Sequence, residues 1–167
     1  MDATPRTFNS PLEAGLRALF VLSAAGRRAL DTQRLVYMDY ILIHSGDLGG
    51  PESLHADTPS RKGELLVRRE LLTDGLVLMR SRDLVERKFR ASGIAWLATR
   101  EGRHVVEQFE SRYASTLKTT AKWAVETFGS RSDQALAQLL GAEIGEWQDE
   151  LIHASTPGEL GDGESAA

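Results

Sequence analysis

A chain of 167 residues, 41% of them hydrophobic, is the size of one domain and long enough to bury a substantial core. It contains no cysteine, which excludes disulfides, zinc fingers, iron–sulfur clusters and a thiol nucleophile. With 20 Lys and Arg against 24 Asp and Glu the net charge is −4, which excludes a uniformly basic surface that coats nucleic acid but leaves room for a local basic patch.

Residues 1–9 read as an N-terminal arm. Ser10-Pro11-Leu12-Glu13 predicts a helix start: Ser10 can cap, Pro11 suits the first helical position, and Glu13 completes a capping box. Leu12, Leu16, Leu19 and Phe20 continue at helical spacing to a stop near Gly26. Asp31 is the next cap and opens a helix through about Ile43. Its residues 35–43 leave almost no polar face, so the helix is either the centre of the domain or packed on a partner chain. On this reading the chain carries more apolar helical area than a lone module leaves wet, and larger companions are expected to cover it.

Residues 44–63 form a long loop rich in Gly, Pro and Ser, of a length that is uncommon inside compact domains. A third helix over 64–80 carries two apolar stripes, Leu65, Leu72, Leu76 and Met79 on one and Val67, Leu71 and Leu78 on the other, which predicts packing on both sides. The period then changes to two. Val85, Arg87 and Phe89 share a face of one strand, Ala91-Ser92-Gly93 is a three-residue turn, and residues 94–98 return. Thr99 caps a helix over 103–109. Leu117, Ala121, Ala124 and Phe128 mark another that stops at Gly129, and Asp133 starts a last one with a stripe of Leu136, Leu140, Ile144, Trp147 and Leu151. That stripe suits packing on the chain's own core, or docking as a helix in a partner's groove. Residues 154–167 are expected to be disordered.

Helix, helix, long loop, helix, hairpin, helix is a mainly α plan: a winged helix-turn-helix with a two-stranded wing and a C-terminal helical extension. Residues 10–110 are its winged-helix-like domain with the loop 44–63 inserted, and 111–153 its C-terminal helices. Trp96-Leu97-Ala98-Thr99-Arg100-Glu101-Gly102 is similar to the aromatic-x-Leu-Thr-x-x-Gly stretch that ends the wing in many winged-helix regulators. No run approaches the roughly 18 apolar residues that span a bilayer, and no basic-then-apolar leader is visible at the N-terminus. A cytoplasmic protein without membrane contact is the expectation.

Residues 61–103 hold eleven basic residues against six acidic, a net +5, and the rest of the chain carries −9. That asymmetry predicts a contact surface for an acidic partner. In a winged helix the third helix enters the major groove and the wing touches phosphate or minor groove. Arg68, Arg69 and Arg80 on or beside the helix, and Arg87, Lys88 and Arg90 on the wing, are therefore the residues expected to contact DNA or phosphate. Two-sided packing of the third helix argues against a sequence-reading role and for phosphate contact within an assembly. Asp39, lodged among Tyr37, Met38, Tyr40 and Ile41, needs donors or a cation if buried, and Arg34 or Arg68 can supply one.

Chemistry is weakly signalled. His44, Asp47 and His55 match no metal-ligand spacing and read as a loop ordered by its own polar side chains, with a protein partner as its functional use. Gly46-Asp47-Leu48-Gly49-Gly50 lacks the Gly-Lys-Ser/Thr ending of a phosphate loop. Ser53, His55 and Asp57 are too close in sequence to read as a triad. The reading is a protein that is not an enzyme and carries no cofactor or metal.

Phe8-Asn9-Ser10-Pro11-Leu12-Glu13, Leu30-Asp31-Thr32-Gln33-Arg34-Leu35-Val36-Tyr37, His44-Ser45-Gly46-Asp47, Gly49-Gly50-Pro51-Glu52-Ser53-Leu54-His55 and Gly63-Glu64-Leu65-Leu66-Val67-Arg68-Arg69 are long, idiosyncratic blocks. With them the chain resembles the middle component of ABC-three-component (ABC-3C) bacterial defence systems, related to the winged-helix subunit of Lamassu-type anti-phage systems. The resemblance implies an adaptor without chemistry of its own, between an SMC-like ABC ATPase that senses DNA and an effector such as a nuclease. The alternative from the fold plan is a DNA-binding transcriptional regulator, which would be a homodimer.

Overall fold

The computed structural model describes residues 10–54 and 64–144. His55, Trp147, Leu151, the arm at 1–9 and the tail at 154–167 lie outside the described residues, as do the side chains of Leu65 and Ile144.

Helix α1 (Pro11–Ala25) starts where Ser10 accepts a hydrogen bond from the Glu13 amide, with Pro11 at its first position. Strand β1 (Leu30–Asp31) follows, and the Asp31 carboxylate then caps α2 (Thr32–Ile43) by accepting from the Arg34 amide at 2.7 Å. A short 3-10 turn, Ser45–Leu48, leads away from α2, and α3 (Glu64–Ser81) runs into the hairpin β2 (Val85–Arg90) and β3 (Gly93–Ala98). Helices α4 (Arg100–Gln108), α5 (Arg112–Phe128) and α6 (Asp133–Ile144) complete the described chain, capped by Thr99, Ser111 and Ser132.

The mainly α plan with a wing holds, with two local differences. The sheet has three strands in the order β1-β3-β2, because Leu30 and Asp31 pair with Trp96 and Ala95. A two-residue strand is too short to show periodicity, and the Trp96 indole N–H donating to the Thr32 hydroxyl at 3.1 Å reinforces the junction. The wing turn contains two residues rather than three. Arg90 pairs with Gly93, which joins β3 with a φ of +123° that side chains disfavour, leaving Ala91 and Ser92 as the loop.

The core is built around α2. Its residues 35–43 are all buried, enclosed by α1, α3, α5, α6 and the sheet. The surplus of apolar helix expected to need companions is thus covered by the chain itself, and α2 takes the central of the two places the sequence left open. Leu136 and Leu140 of α6 join the same core. Helix α3 also departs from expectation. Leu72, Leu76 and Met79 are buried, but Val67 is 59% exposed and Leu71 and Leu78 are only partly covered, so the helix is packed on one face. That face meets α1 in the most extensive helix–helix contact of the fold. The two backbones approach at glycines: a Cβ on Gly15 would lie 2.6 Å from the Gly75 carbonyl oxygen.

Candidate interaction surfaces

Three helices are tied together by one buried ion cluster. Asp39 on α2 is 1% exposed and accepts from Arg17 Nε of α1 at 2.6 Å, from Arg17 Nη2 at 3.3 Å and from Arg68 Nη1 of α3 at 2.8 Å. Burial alone would push the Asp39 carboxyl up; the guanidiniums of Arg17 and Arg68 overcome it and hold the carboxyl below its ordinary range. Burial raises the Glu13 carboxyl beside this cluster, against the pull of Arg17. Arg17 was not among the partners expected for Asp39, although it is the only cation of α1. Arg34 turns away instead, to the Gly129 and Arg131 carbonyls and the Asp133 carboxylate, fastening the start of α6 to α2.

The cationic residues read from the sequence therefore divide. Arg68 is buried and committed to Asp39, and its charge is absent from the surface. Arg69 is exposed and donates to the Gln33 side chain. Arg80, Lys88 and Arg90 are exposed, and Arg87 is half-buried with its guanidinium 4.9 Å from the Phe89 ring centre. Lys88 is paired with Glu86 at 3.3 Å, whereas among the described residues no carboxylate lies within ion-pair distance of Arg80, Arg87 or Arg90. Between the end of α3 and the wing runs an open groove of about 550 Å3, lined by Val77, Arg80, Ser81 and Asp83 on one side and by Val85, Glu86 and Arg87 on the other. Two cations, two acids and the 59% exposed Val77 thus line it together.

The loop after α2 is ordered by its own polar groups over its described part. The Ser45 hydroxyl donates to the Pro51 carbonyl at 2.8 Å, and the Gly46 amide donates to the Ser53 hydroxyl at 3.0 Å. Gly50 lies against the Trp123 indole of α5, where a Cβ would collide with the ring. His44 is buried against the Tyr40 ring, 4.3 Å between centroids, and anchors the loop rather than facing outward. Of the three loop residues expected at a partner contact, Asp47 is exposed and His55 lies outside the described residues. Asp47 and Glu52 are the exposed acids in the described part of this loop.

A second groove, of about 280 Å3, lies between α1, α4 and α5 over Phe20 and Val106, with Lys118 and Lys122 on its rim. Lys118 donates to the Glu107 and Phe109 carbonyls and so fixes the α4–α5 corner. Among the described residues no group of three His, Asp or Glu side chains is placed to hold a metal ion, and no helix is long and apolar enough to cross a membrane.

The profile of the ABC-three component (ABC-3C) system Middle Component 2 matches residues 7–150. The chain belongs to that family. No curated protein and no solved structure matches it. The ABC-3C middle component is thus one part of a multi-component ABC system, in keeping with the resemblance carried by the N-terminal blocks and with open, charged surfaces on a self-sufficient core.

Proposed function

We propose that this ABC-3C middle component is a non-catalytic adaptor that bridges an SMC-like ABC ATPase and an effector, such as a nuclease, in a cytoplasmic defence complex of the Lamassu kind directed at phage or plasmid DNA. The observation that carries this reading is the family match across residues 7–150. Two features of the fold support it. The α3–wing groove and the α1–α4–α5 groove share no lining residue, which suits two different companions. The Arg17–Asp39–Arg68 cluster locks α1, α2 and α3 to one another, so a displacement of one groove is passed to the other through a stiff body. DNA held by the ATPase meets the α3–wing face through Arg80, Arg87 and Arg90.

Co-expression of the tagged chain with the ATPase and effector encoded beside it tests this directly. The chain should co-purify with both, and mass photometry should show it moving from a small species to a much larger one. A solitary homodimer that selects one operator sequence and ignores the ATPase would reject the adaptor and favour a transcriptional regulator. For the loop, the double charge reversal Asp47→Lys/Glu52→Lys keeps the Gly50–Trp123 contact and should reduce recovery of a partner. Undiminished recovery removes the loop from the interface.

A further inference from the structure

The wing ends in an apolar tip that the fold does not use. Phe89 is 75% exposed, the most exposed large apolar side chain among the described residues. Ile94, directly opposite on β3, is 39% exposed, and the pair stands just before the two-residue loop Ala91-Ser92. Scattered exposed apolar residues need no explanation. Here, however, the cross-strand pair lies beside the cations Arg87 and Arg90, and the Arg87 guanidinium is stacked on the Phe89 ring.

The cations suit an anionic partner, and the ring suits a partner that offers a flat apolar face. A protein surface meets both only where acidic and aromatic side chains lie side by side. DNA meets both, with phosphates along each groove edge and base planes between them. A hairpin tip is also the right shape: two strands stand about 5 Å apart, a narrow blade, and apolar wedges inserted from the minor groove part base steps and bend the duplex. We infer that the wing is a DNA wedge, in which Arg87 and Arg90 hold phosphates while Phe89, backed by Ile94, inserts at a base step. The chain then favours DNA that is already unstacked or easily kinked, because less stacking is lost on insertion. This deepens the reading of the wing as a DNA face and is independent of the adaptor role.

Fluorescence anisotropy with the full chain and two labelled duplexes, one perfect and one with a central mismatched bubble, tests it. The chain should bind the bubble duplex roughly tenfold more tightly, the worth of about one stacked base. Phe89→Ala, on an exposed tip where folding is not at stake, should abolish that preference and leave the salt dependence intact. Arg87→Gln/Arg90→Gln should lower the slope of log affinity against log salt by about two. Equal affinity for both duplexes, with the slope still falling in the arginine variant, overturns the wedge while keeping phosphate contact. An unchanged slope, or no DNA binding, overturns both. If Phe89→Ala instead abolishes co-purification with the ATPase and leaves DNA binding unaltered, the tip is a protein contact and the wedge is wrong.

Discussion

Replacing Asp39 by asparagine is expected to cost the fold about 3–5 kcal/mol, because it strands two buried guanidiniums without their anion. The carboxylate makes three hydrogen bonds to Arg17 and Arg68 from a position 1% exposed, and asparagine offers one neutral acceptor in the same volume. A domain of this size has roughly 5–15 kcal/mol in hand, so the variant should unfold at markedly lower urea concentration. Removing all three charges together, as Arg17→Met/Asp39→Leu/Arg68→Met, should recover much of the loss, since charges that are absent carry no desolvation cost. The wild type also has a signed pH dependence. A carboxyl held below its ordinary value contributes fully above the unfolded-state pKa of about 4 and loses that contribution as pH falls through the lower folded-state value. Urea midpoints measured from pH 7 to pH 3 should fall on the acid side, and the fall should be shallower in Asp39→Asn. A loss below about 1 kcal/mol in the asparagine variant would mean the cluster is not the tie between helices described above.

A methyl group at Gly75 is the second large effect. In an exposed helix, alanine in place of glycine gains up to about 1 kcal/mol. At Gly75 the new Cβ would lie 2.5 Å from the Gly15 amide nitrogen, and backbone, unlike a flexible side chain, cannot swing aside. Overpacking of this kind costs about 1–3 kcal/mol, so Gly75→Ala should destabilise despite its better helix propensity, and Gly75→Val more so. Gly141 in α6 is the internal control, for a Cβ there meets nothing within 4 Å. Gly141→Ala should raise the thermal midpoint while Gly75→Ala lowers it. Two shifts of the same sign would refute the close crossing of α1 and α3.

Both predictions concern the body on which the grooves and the wing are mounted, and they separate its stability from its contacts. Phe89 and Arg90 are exposed on the wing, so substitutions there should alter binding and leave the urea midpoint in place. Asp39 and Gly75 should do the reverse at modest temperature, losing partners only when the fold itself is lost.

Local chemistry made much of this legible in advance. Ser10, Asp31 and Thr99 announce helix starts because a side-chain oxygen beside a free amide is a purely local arrangement, and all three caps form. The change from helical to alternating spacing located the wing for the same reason. The family was legible as well, in blocks whose order of residues is too particular to recur by chance. The candidate surface was read less completely. Arg80, Lys88 and Arg90 are exposed and Arg87 is half-buried, but Arg68 is buried; it and its neighbour Arg69 are the same residue type, and only the position of Asp39 on another helix distinguishes them. Nor did the exposed Phe89–Ile94 tip emerge, because a strand period says which residues share a face and not how far the wing projects beyond the core.

By itself the sequence determined the six helices and the two wing strands of the described residues, their order and the family, but not the two-residue strand β1 or the length of the wing turn. Only the tertiary structure decided that the apolar α2 is wrapped by its own chain, that Asp39 takes Arg17 and Arg68 rather than Arg34, and that His44 faces inward. Those outcomes turn on which distant segments meet, and the energy of burying a charge or a helix face depends on what lies across the contact, which no single stretch of chain contains.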